Sequence, residues 1–322
     1  MQEKLGIDCI LEGEGEKVVP KLFKDAIESK ELPKHLFGDT PDVDEIPAIY
    51  TPSRGGIVEI TRGCGRNCKF CMPNLLKFRT LPKELILEEI RLNLKNGARH
   101  IDLHSEDFLR YGSKGLKPDM AKILDLLHSI KKIEEFKNDI DLKTDFLSSS
   151  SVLQAPDLIE EVSHEFGTDT KKKLIEIGIE TGSPNIIKEY MAGKPKPFDA
   201  DDWQELVEQS IGILNDNERI VYGTMITGFS EEKEDDVIKS IELVERSAKY
   251  DCFLFVLPFI SMGGLRKIGS IPVDNYLNDP LRMELIKKGL IKSAETASNF
   301  VKLTLSNIDY LNLSKWACHL KT

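Results

Sequence analysis

The sequence predicts an α/β protein built on a partial (β/α)6, TIM-like barrel of parallel strands. Apolar, strand-like runs alternate with amphipathic helical runs along most of the chain. The helical runs are long enough to serve as crossovers, which implies parallel pairing with right-handed connections. The length of 322 residues also suits one large α/β domain with short N-terminal and C-terminal extensions. In such a barrel, functional residues are expected at the carboxyl ends of the strands.

Six strands are predicted from short apolar runs, at 56–61, 100–105, 140–147, 174–180, 220–227 and 253–259. Between the first two, Pro82 can open a helix and Gly97 can close it. The apolar residues Ile86, Ile90 and Leu94 recur four apart and predict the buried face of this helix. The same spacing in the later gaps predicts four further helices, with apolar faces at Met120, Ile123, Leu124 and Leu127; Leu158, Ile159 and Val162; Trp203, Leu206, Val207 and Ile211; and Val237, Ile241 and Val244.

The predicted domain organisation has three parts. Residues 1–48 form an N-terminal remnant or linker, residues 49–265 form the barrel core, and residues 266–322 form a C-terminal helical extension. The stretch from 33 to 56 is interrupted by prolines and glycines, so it is predicted to be an irregular linker that leads into the barrel.

Charge and hydropathy exclude several classes of protein. Lys and Arg total 44 against 54 Asp and Glu, and the net charge of -10 disfavours bulk binding of nucleic acid. No apolar run approaches the ~20 residues that a membrane-spanning helix needs, and the N-terminus does not resemble a signal peptide. The protein is therefore expected to be cytoplasmic, where clustered cysteines are metal ligands or catalysts more often than disulfides.

Three of the six cysteines stand close together in the segment EITRGCGRNCKFCMPN, residues 59–74. Cys64, Cys68 and Cys71 have the spacing C-x3-C-x2-C and follow the first predicted strand. Three thiolates can hold three irons of a 4Fe-4S cluster and leave the fourth iron open to a small molecule. A structural zinc site completed by His100 or His104 is the alternative. Cys9 and Cys252 are predicted to be buried apolar residues, and Cys318 a leftover thiol.

The cysteine motif resembles that of the radical S-adenosylmethionine (radical SAM) enzymes, C-x3-C-x-aromatic-C, with Phe70 at the aromatic position. The resemblance covers roughly residues 11–262. It implies a 4Fe-4S cluster on Cys64, Cys68 and Cys71, with SAM as the second cofactor and Phe70 in contact with its adenine. It also implies reductive cleavage of SAM to a 5'-deoxyadenosyl radical that takes hydrogen from a substrate, with electrons from a ferredoxin or flavodoxin type of donor.

Three further segments resemble SAM-binding motifs of this family. HSED at 104–107 matches the second-strand motif only through Glu106, because both of its glycines are absent. IGIETGS at 177–183 resembles the fourth-strand segment and MITGFSEE at 225–232 the fifth-strand motif G-x-I-x-G-x-x-E, whose first glycine is Thr224 here. The SAM contacts that these segments imply are Glu180, Thr181, Ser183, Ile226 and Gly228, with Glu231 as the glutamate of the last motif.

The residues themselves support a polar face at the fourth strand. Glu176, Gly178 and Glu180 share one face, and the isoleucines between them share the other, so the polar face is predicted to line the barrel interior. A structural role for Glu180, paired with Lys143 or another strand residue, stays open. Lys143 and Asp145 are predicted to be a structural pair.

The N-terminal segments DCILEGEGEKVVPKLF, DEIPAI and EITRGC look like the junction between a cobalamin-binding domain and its radical SAM barrel. Only the end of such a domain is expected here, with IDCIL as its last strand and GEGE as the turn into a linker helix. The chain is then a shortened relative, or its cobalamin domain is a separate partner or a missing piece. GEGE alone is also compatible with a simple acidic turn.

Three functions remain open on this basis. The leading one is a radical SAM enzyme, with cobalamin-dependent methylation of an unknown small-molecule or lipid-like substrate as one form of it. A methylthiotransferase-like RNA modification enzyme is the second, and a zinc-stabilised, non-enzymatic binding module is the third.

Overall fold

The computed structural model describes residues 3–137, 139–166, 173–261 and 269–306. Strands and helices alternate along these residues, as predicted, and the chain forms a mixed α/β fold with parallel sheets. The strands are β1 (Ile10–Glu12), β2 (His35–Phe37), β3 (Ile57–Glu59), β4 (Thr61–Arg62), β5 (Arg79–Thr80), β6 (His100–His104), β7 (Asp141–Thr144), β8 (Phe146–Leu147), β9 (Lys173–Glu180), β10 (Arg219–Thr227) and β11 (Cys252–Pro258). The α-helices are α1 (Val19–Ile27), α2 (Lys83–Lys95), α3 (Met120–Lys131), α4 (Ser149–Gln154), α5 (Pro156–Glu165), α6 (Pro184–Tyr190), α7 (Trp203–Asp216), α8 (Glu234–Arg246), α9 (Val273–Leu277) and α10 (Pro280–Ser306).

The chain divides into two compact units, and the first comprises Met1–Gly65 and Met72–Asp145. Its main sheet is parallel, in the order β3-β6-β7. Helix α2 begins directly after Pro82 and buries Ile86, Ile90 and Leu94, because residues four apart lie on one face of a helix. The predicted helix and its buried face are therefore confirmed.

The N-terminal part of the first unit contains more structure than the sequence indicated. Strand β1 pairs in parallel with β2, and α1 lies between them in the chain, so this segment is a βαβ element. β2 falls inside the stretch from 33 to 56 that was predicted to be an irregular linker, and that prediction is wrong at this point. A strand of three residues is too short to show a period of two beside the surrounding prolines and glycines.

The second unit comprises Arg66–Cys71 and Phe146–Thr322. Its sheet is parallel, in the order β8-β9-β10-β11. In β9 the side chains of Ile175, Ile177 and Ile179 are buried and the residues between them are more exposed, as the alternation predicted. Helix α10 is tied to β11 by the Ser293 hydroxyl, which accepts a bond of 2.8 Å from the amide N–H of Leu254.

Two predicted strands are each divided in two. The run at 56–61 forms β3 and then β4, and β4 pairs antiparallel with β5 instead of continuing the parallel sheet. The run at 140–147 forms β7, paired with β6, and then β8, paired with β9, with Asp145 between them. A continuous apolar run does not show where a strand changes its partner. The strand pairing of the described residues contains no closed barrel.

The C-terminal extension that was predicted for 266–322 is helical in its described part, through α9 and α10. Cys318 lies outside the described residues. Among the described helices, none combines the length and the apolar composition that a membrane span requires.

Candidate functional site

The three motif cysteines lie in the loop that joins β4 to β5. The two strands pair directly, with Arg62 opposite Arg79 at the base of the loop. Gly63 has a φ of 72°, and a Cβ there would come within 2.6 Å of the Leu76 carbonyl oxygen, so only glycine fits this turn. The loop is thus built for a tight fold, as the sequence predicted.

Within the first unit, Arg110 holds the backbone of Cys64. Its guanidinium donates to the Cys64 carbonyl oxygen and to the Gly115 carbonyl oxygen, the latter at 3.0 Å from Nη2. It also lies over the Phe78 ring, 4.1 Å from the centroid, and Arg110 is only 3% exposed. No sequence signal pointed to Arg110, because a single arginine after a strand has no distinguishing pattern.

Within the second unit, Arg66 fixes the next part of the loop. Its guanidinium donates to the Ser148 and Ser151 hydroxyls, both at 2.8 Å, and to the Lys194 carbonyl oxygen at 3.1 Å. Cys68 is buried, and the Cys71 amide donates to its carbonyl oxygen at 3.2 Å. Buried arginines therefore anchor the backbone on which the cysteines stand.

The residue types of the loop fit an iron–sulfur cluster, because three thiols are the donor set that such clusters take. In the described part of the chain, no three or more His, Cys, Asp or Glu side chains are grouped so that they could hold a metal ion. The assignment of Cys64, Cys68 and Cys71 as cluster ligands therefore stays a prediction from their spacing. The zinc alternative with His100 or His104 likewise stays a prediction from the sequence.

His104 has a carboxylate neighbour at the carboxyl end of β6. Its Nδ1 lies 3.5 Å from the Asp145 Oδ2, and this contact raises the pKa of His104. Lys143 forms its ion pair with Asp102 at 2.8 Å. The pKa of Asp145 is lowered by its bond to His104 and further by the charge of Lys143, so Lys143 and Asp145 interact within one charged network. Burial of the Asp102 carboxyl raises its pKa, against the effect of Lys143.

Glu106 is half-buried, two residues beyond His104. Burial raises the pKa of Glu106, and the nearby His104 opposes that rise. A carboxylate at this position can hold an amino group by charge and hydrogen bonding. The contact between Glu106 and the SAM amino group that the resemblance implies stays a prediction.

Phe70 lies within the second unit beside the segment that follows β10. Its ring makes T-shaped contacts with the rings of Phe229 and Phe259, with centroids 5.8 and 6.3 Å away. Gly228, directly before Phe229, has a φ of 103°, which favours glycine. Ile226 is half-buried in the same segment. The structure thus places Phe70 beside the residue that follows Gly228, although the sequence singled out Phe70 and Gly228 in separate motifs.

The glutamate that supports the Gly228 turn is Glu232, one position beyond the residue that the motif spacing indicated. The Glu232 Oε2 accepts from the Gly228 amide at 2.8 Å, the Thr227 hydroxyl at 2.6 Å and the Arg282 Nε at 3.1 Å. Burial raises the pKa of Glu232, and these three donors oppose that effect. Glu231 is exposed, and the described bond to its carboxylate comes from the Ser230 hydroxyl at 2.6 Å.

Glu180 ends β9 in an unusual backbone conformation. Its φ of 68° lies in the left-handed region, which a non-glycine residue rarely adopts outside turns and functional sites. Its Oε1 pairs with the Lys194 Nζ at 2.8 Å. Gly178 leaves room for this pair, because a Cβ there would lie 2.9 Å from the Lys194 Nζ. Lys194 was missed by the sequence argument, since it stands 14 positions beyond Glu180.

Thr181 and Ser183 are fully buried and bonded to protein groups. The Thr181 hydroxyl pairs with the Ser240 hydroxyl at 3.0 Å and accepts from the Ser183 amide at 3.0 Å. The Ser183 hydroxyl caps α6 by accepting from the Ile186 amide at 3.3 Å. Their observed contacts build the turn after Glu180.

Cys252 and Cys9, which lie outside the motif, differ in their burial. Cys252 is fully buried in β11, and burial raises the pKa of its thiol to about 11. Cys9 is half-buried, so the prediction of a buried residue there is wrong. It directly precedes β1, which has no buried residue.

The chain belongs to the radical SAM superfamily, whose family model matches residues 58–244. It is 27% identical over 253 residues to the tRNA-2-methylthio-N(6)-dimethylallyladenosine synthase of Thermotoga petrophila. This match covers 76% of this chain and 53% of that protein. It is 27% identical over 239 residues to the ribosomal protein uS12 methylthiotransferase RimO of a Sulfurihydrogenibium species, covering 71% of this chain and 51% of that protein. The chain thus spans about half the length of these curated relatives.

A solved structure shares the fold. The radical S-adenosylmethionine methyltransferase TsrM from Kitasatospora setae, with tryptophan substrate and a SAM analogue bound, matches with a TM-score of 0.57 and 13% identity. The match covers 79% of this chain and 52% of that protein. The superfamily membership that the sequence predicted is therefore confirmed, together with the α/β fold with parallel sheets.

Proposed function

We propose that this chain binds a 4Fe-4S cluster and cleaves SAM reductively to generate a 5'-deoxyadenosyl radical, which takes hydrogen from a substrate. The observation that carries the proposal is the C-x3-C-x2-C motif, which lies inside the region that matches the superfamily. Its loop contains a tight turn that requires glycine at position 63. Cys64, Cys68 and Cys71 would hold the cluster. A small one-electron carrier of the ferredoxin or flavodoxin type would reduce it.

When bound, the cluster supplies the electron that divides SAM into methionine and the radical. The role of the protein's own side chains is to bind SAM and to orient it. Phe70 and the turn at Gly228 offer an apolar ring and an open backbone, which suit the adenine. Glu180 and Lys194 offer one charge of each sign, which suit the ribose hydroxyls or the amino-acid end of SAM. Glu106, with its raised pKa, is the second candidate for the SAM amino group.

Anaerobic purification with quantification of iron, sulfide and zinc is the first test. We expect about four irons per chain after reconstitution, and 5'-deoxyadenosine when dithionite and SAM are added. A colourless protein that retains one zinc and forms no 5'-deoxyadenosine would overturn the proposal and leave the zinc-stabilised binding module.

The transferred group has two candidates, each favoured by a different observation. Sequence similarity to the two methylthiotransferases favours transfer of a methylthio group, to RNA or to a protein. The resemblance of residues 8–23 to the end of a cobalamin domain favours cobalamin-dependent methylation, with the corrin held by this chain or by a separate partner.

Binding and product analysis separate the two transfers. Equilibrium binding of hydroxocobalamin to the purified chain tests the methylation route, and saturable binding supports it. Mass spectrometry of tRNA and ribosomal protein after incubation with SAM and reductant tests the other route. A mass gain of a methylthio group favours that route, and a gain of a methyl group alone contradicts it.

A further inference from the structure

Two arginines with the same charge stand opposite each other where the cysteine loop begins and ends. Arg62 and Arg79 are register partners in the β4–β5 pair. Directly opposed side chains of an antiparallel pair lie on one face and close together, so like charges there destabilise the pairing. The base of the loop therefore needs a negative group that reaches both guanidinium groups.

Glu14 is that group. Its Oε2 lies 2.7 Å from the Arg62 Nη1, and its Oε1 lies 2.5 Å from the Arg79 Nη2. The side chains of Glu14 and Arg79 are each 6% exposed, so the bridge is buried and little weakened by water. The remaining bonds of Arg79 go to the carbonyl oxygens of Pro41 and Lys77. Among the described residues, Glu14 is the carboxylate that joins the two arginines.

Two other acidic groups bond directly to Arg62. Glu59 accepts from Nε at 3.0 Å and from Nη2 at 2.8 Å, and Glu16 lies 2.5 Å from Nη1. These contacts orient the Arg62 guanidinium and balance its charge. Their hydrogen bonds go to Arg62, and Glu16 acts on Arg79 through its charge, so they do not supply the two-ended bridge that Glu14 makes.

The backbone of Glu14 is fixed by two glycines. Gly13 directly follows β1 and has a φ of 98°, a conformation that favours glycine. Gly38 lies directly against the Glu14 carbonyl group, where any Cβ would clash with the backbone. The Gly38 amide also donates to the Glu12 carbonyl oxygen at 2.8 Å. The N-terminal βαβ element thus holds the Glu14 carboxylate at a defined point.

We infer that Glu14 is a positioning residue that clamps the base of the cysteine loop, so that GEGE is a buried anchor and not a simple acidic turn. The consequence for cluster retention rests on the proposed function. The groups around metal ligands set their orientation, and losing one weakens metal affinity or activity by roughly ten- to a hundredfold. A loop with an open base would release iron more easily.

The test compares Glu14→Gln with Glu208→Gln, a matched control on α7. Glu208 also pairs with two cations, Arg246 and Lys249, both at 2.6 Å. Hydrogen–deuterium exchange of the cluster-free chain tests the clamp itself. We expect amides in residues 61–80 to exchange about tenfold faster in Glu14→Gln and at the wild-type rate in Glu208→Gln, since a charge-assisted bond is worth at least that factor.

Iron release to a ferrous chelator then tests the consequence. We expect release about tenfold faster or more from Glu14→Gln than from the control, with a changed electron paramagnetic resonance signal of the reduced cluster. Equal exchange in the two variants would overturn the clamp, even if Glu14→Gln were less stable to urea. Faster exchange with unchanged iron release would overturn its role for the cluster. Failure of the wild type to bind iron would instead refute the proposed function, and the exchange data would still decide the clamp.

If Glu14→Gln does not fold, Glu14→Asp serves in its place. The aspartate keeps the charge but is one methylene shorter, so it cannot reach both arginines at their present distances. We expect faster exchange in residues 61–80 here as well, and unchanged exchange would contradict the inference.

Discussion

The strongest test of the site's architecture is the contrast between the adjacent residues Glu231 and Glu232. The sequence motif indicates Glu231, whereas the structure gives the supporting role to Glu232. The Glu232 side chain is 1% exposed and receives three donors on one oxygen, from Thr227, Gly228 and Arg282. Replacing each glutamate by glutamine changes the charge with little change in size.

The magnitude follows from the contacts. Hydrogen bonds to a charged group contribute about 1.5–3 kcal/mol each, and neutral ones about 0.5–1.5 kcal/mol. Glu232→Gln removes the acceptor's charge from three bonds and leaves the charge of Arg282 partly uncompensated, so we expect a loss of about 3 kcal/mol in the free energy of unfolding. This agrees with the ~3–5 kcal/mol that removal of one partner of a buried ion pair costs. Glu231→Gln should stay within about 0.5 kcal/mol of the wild type, because the side chain is exposed.

Urea unfolding of the cluster-free chain at about pH 8, well above ordinary carboxyl pKa values, measures both variants. SAM binding by the reconstituted chain is the second readout, and we expect weaker binding in Glu232→Gln than in Glu231→Gln. Equal stability losses, or a larger loss in Glu231→Gln, would refute the assignment and restore the position that the motif spacing indicates.

The other predictions concern the ligands, the charged pair and the histidine. Changing any of the three motif cysteines to alanine, for example Cys68→Ala, should abolish 5'-deoxyadenosine formation, because two thiolates hold the cluster poorly; full product yield would contradict the ligand assignment. Glu180→Gln should keep the iron but weaken SAM binding by about 1–2 kcal/mol in a calorimetric titration, because a charge-assisted bond is lost. An unchanged titration would contradict a contact with SAM and assign Glu180 a structural role in its pair with Lys194. The pKa of His104 should lie above its usual 6.5 in an NMR titration and fall in Asp145→Asn, and an unaltered titration curve would refute the contact. Because the folded-state pKa is raised, the stability from this contact is full below about pH 6.5 and is lost as the pH rises through the raised pKa.

Local patterns in the sequence determined the fold class and most of its elements. The burial of Ile86, Ile90 and Leu94 on α2 followed from their spacing, and the alternation in β9 followed from the period of two. These features depend on residues close together in the chain, so composition and periodicity carry them. The cysteine motif and its family were likewise readable, because the chemistry requires a fixed short spacing.

Only the tertiary structure decided how the site is supported. Glu14 is 48 positions from Arg62 and 65 from Arg79, and Glu232 is 50 from Arg282. Lys194 reaches Glu180 across a helix and a turn. Charged residues of this kind look like solvated surface in a sequence, because no periodicity marks a partner so distant. Their role depends on which backbone segments the folded core brings within bonding distance, and that is a property of the packed chain.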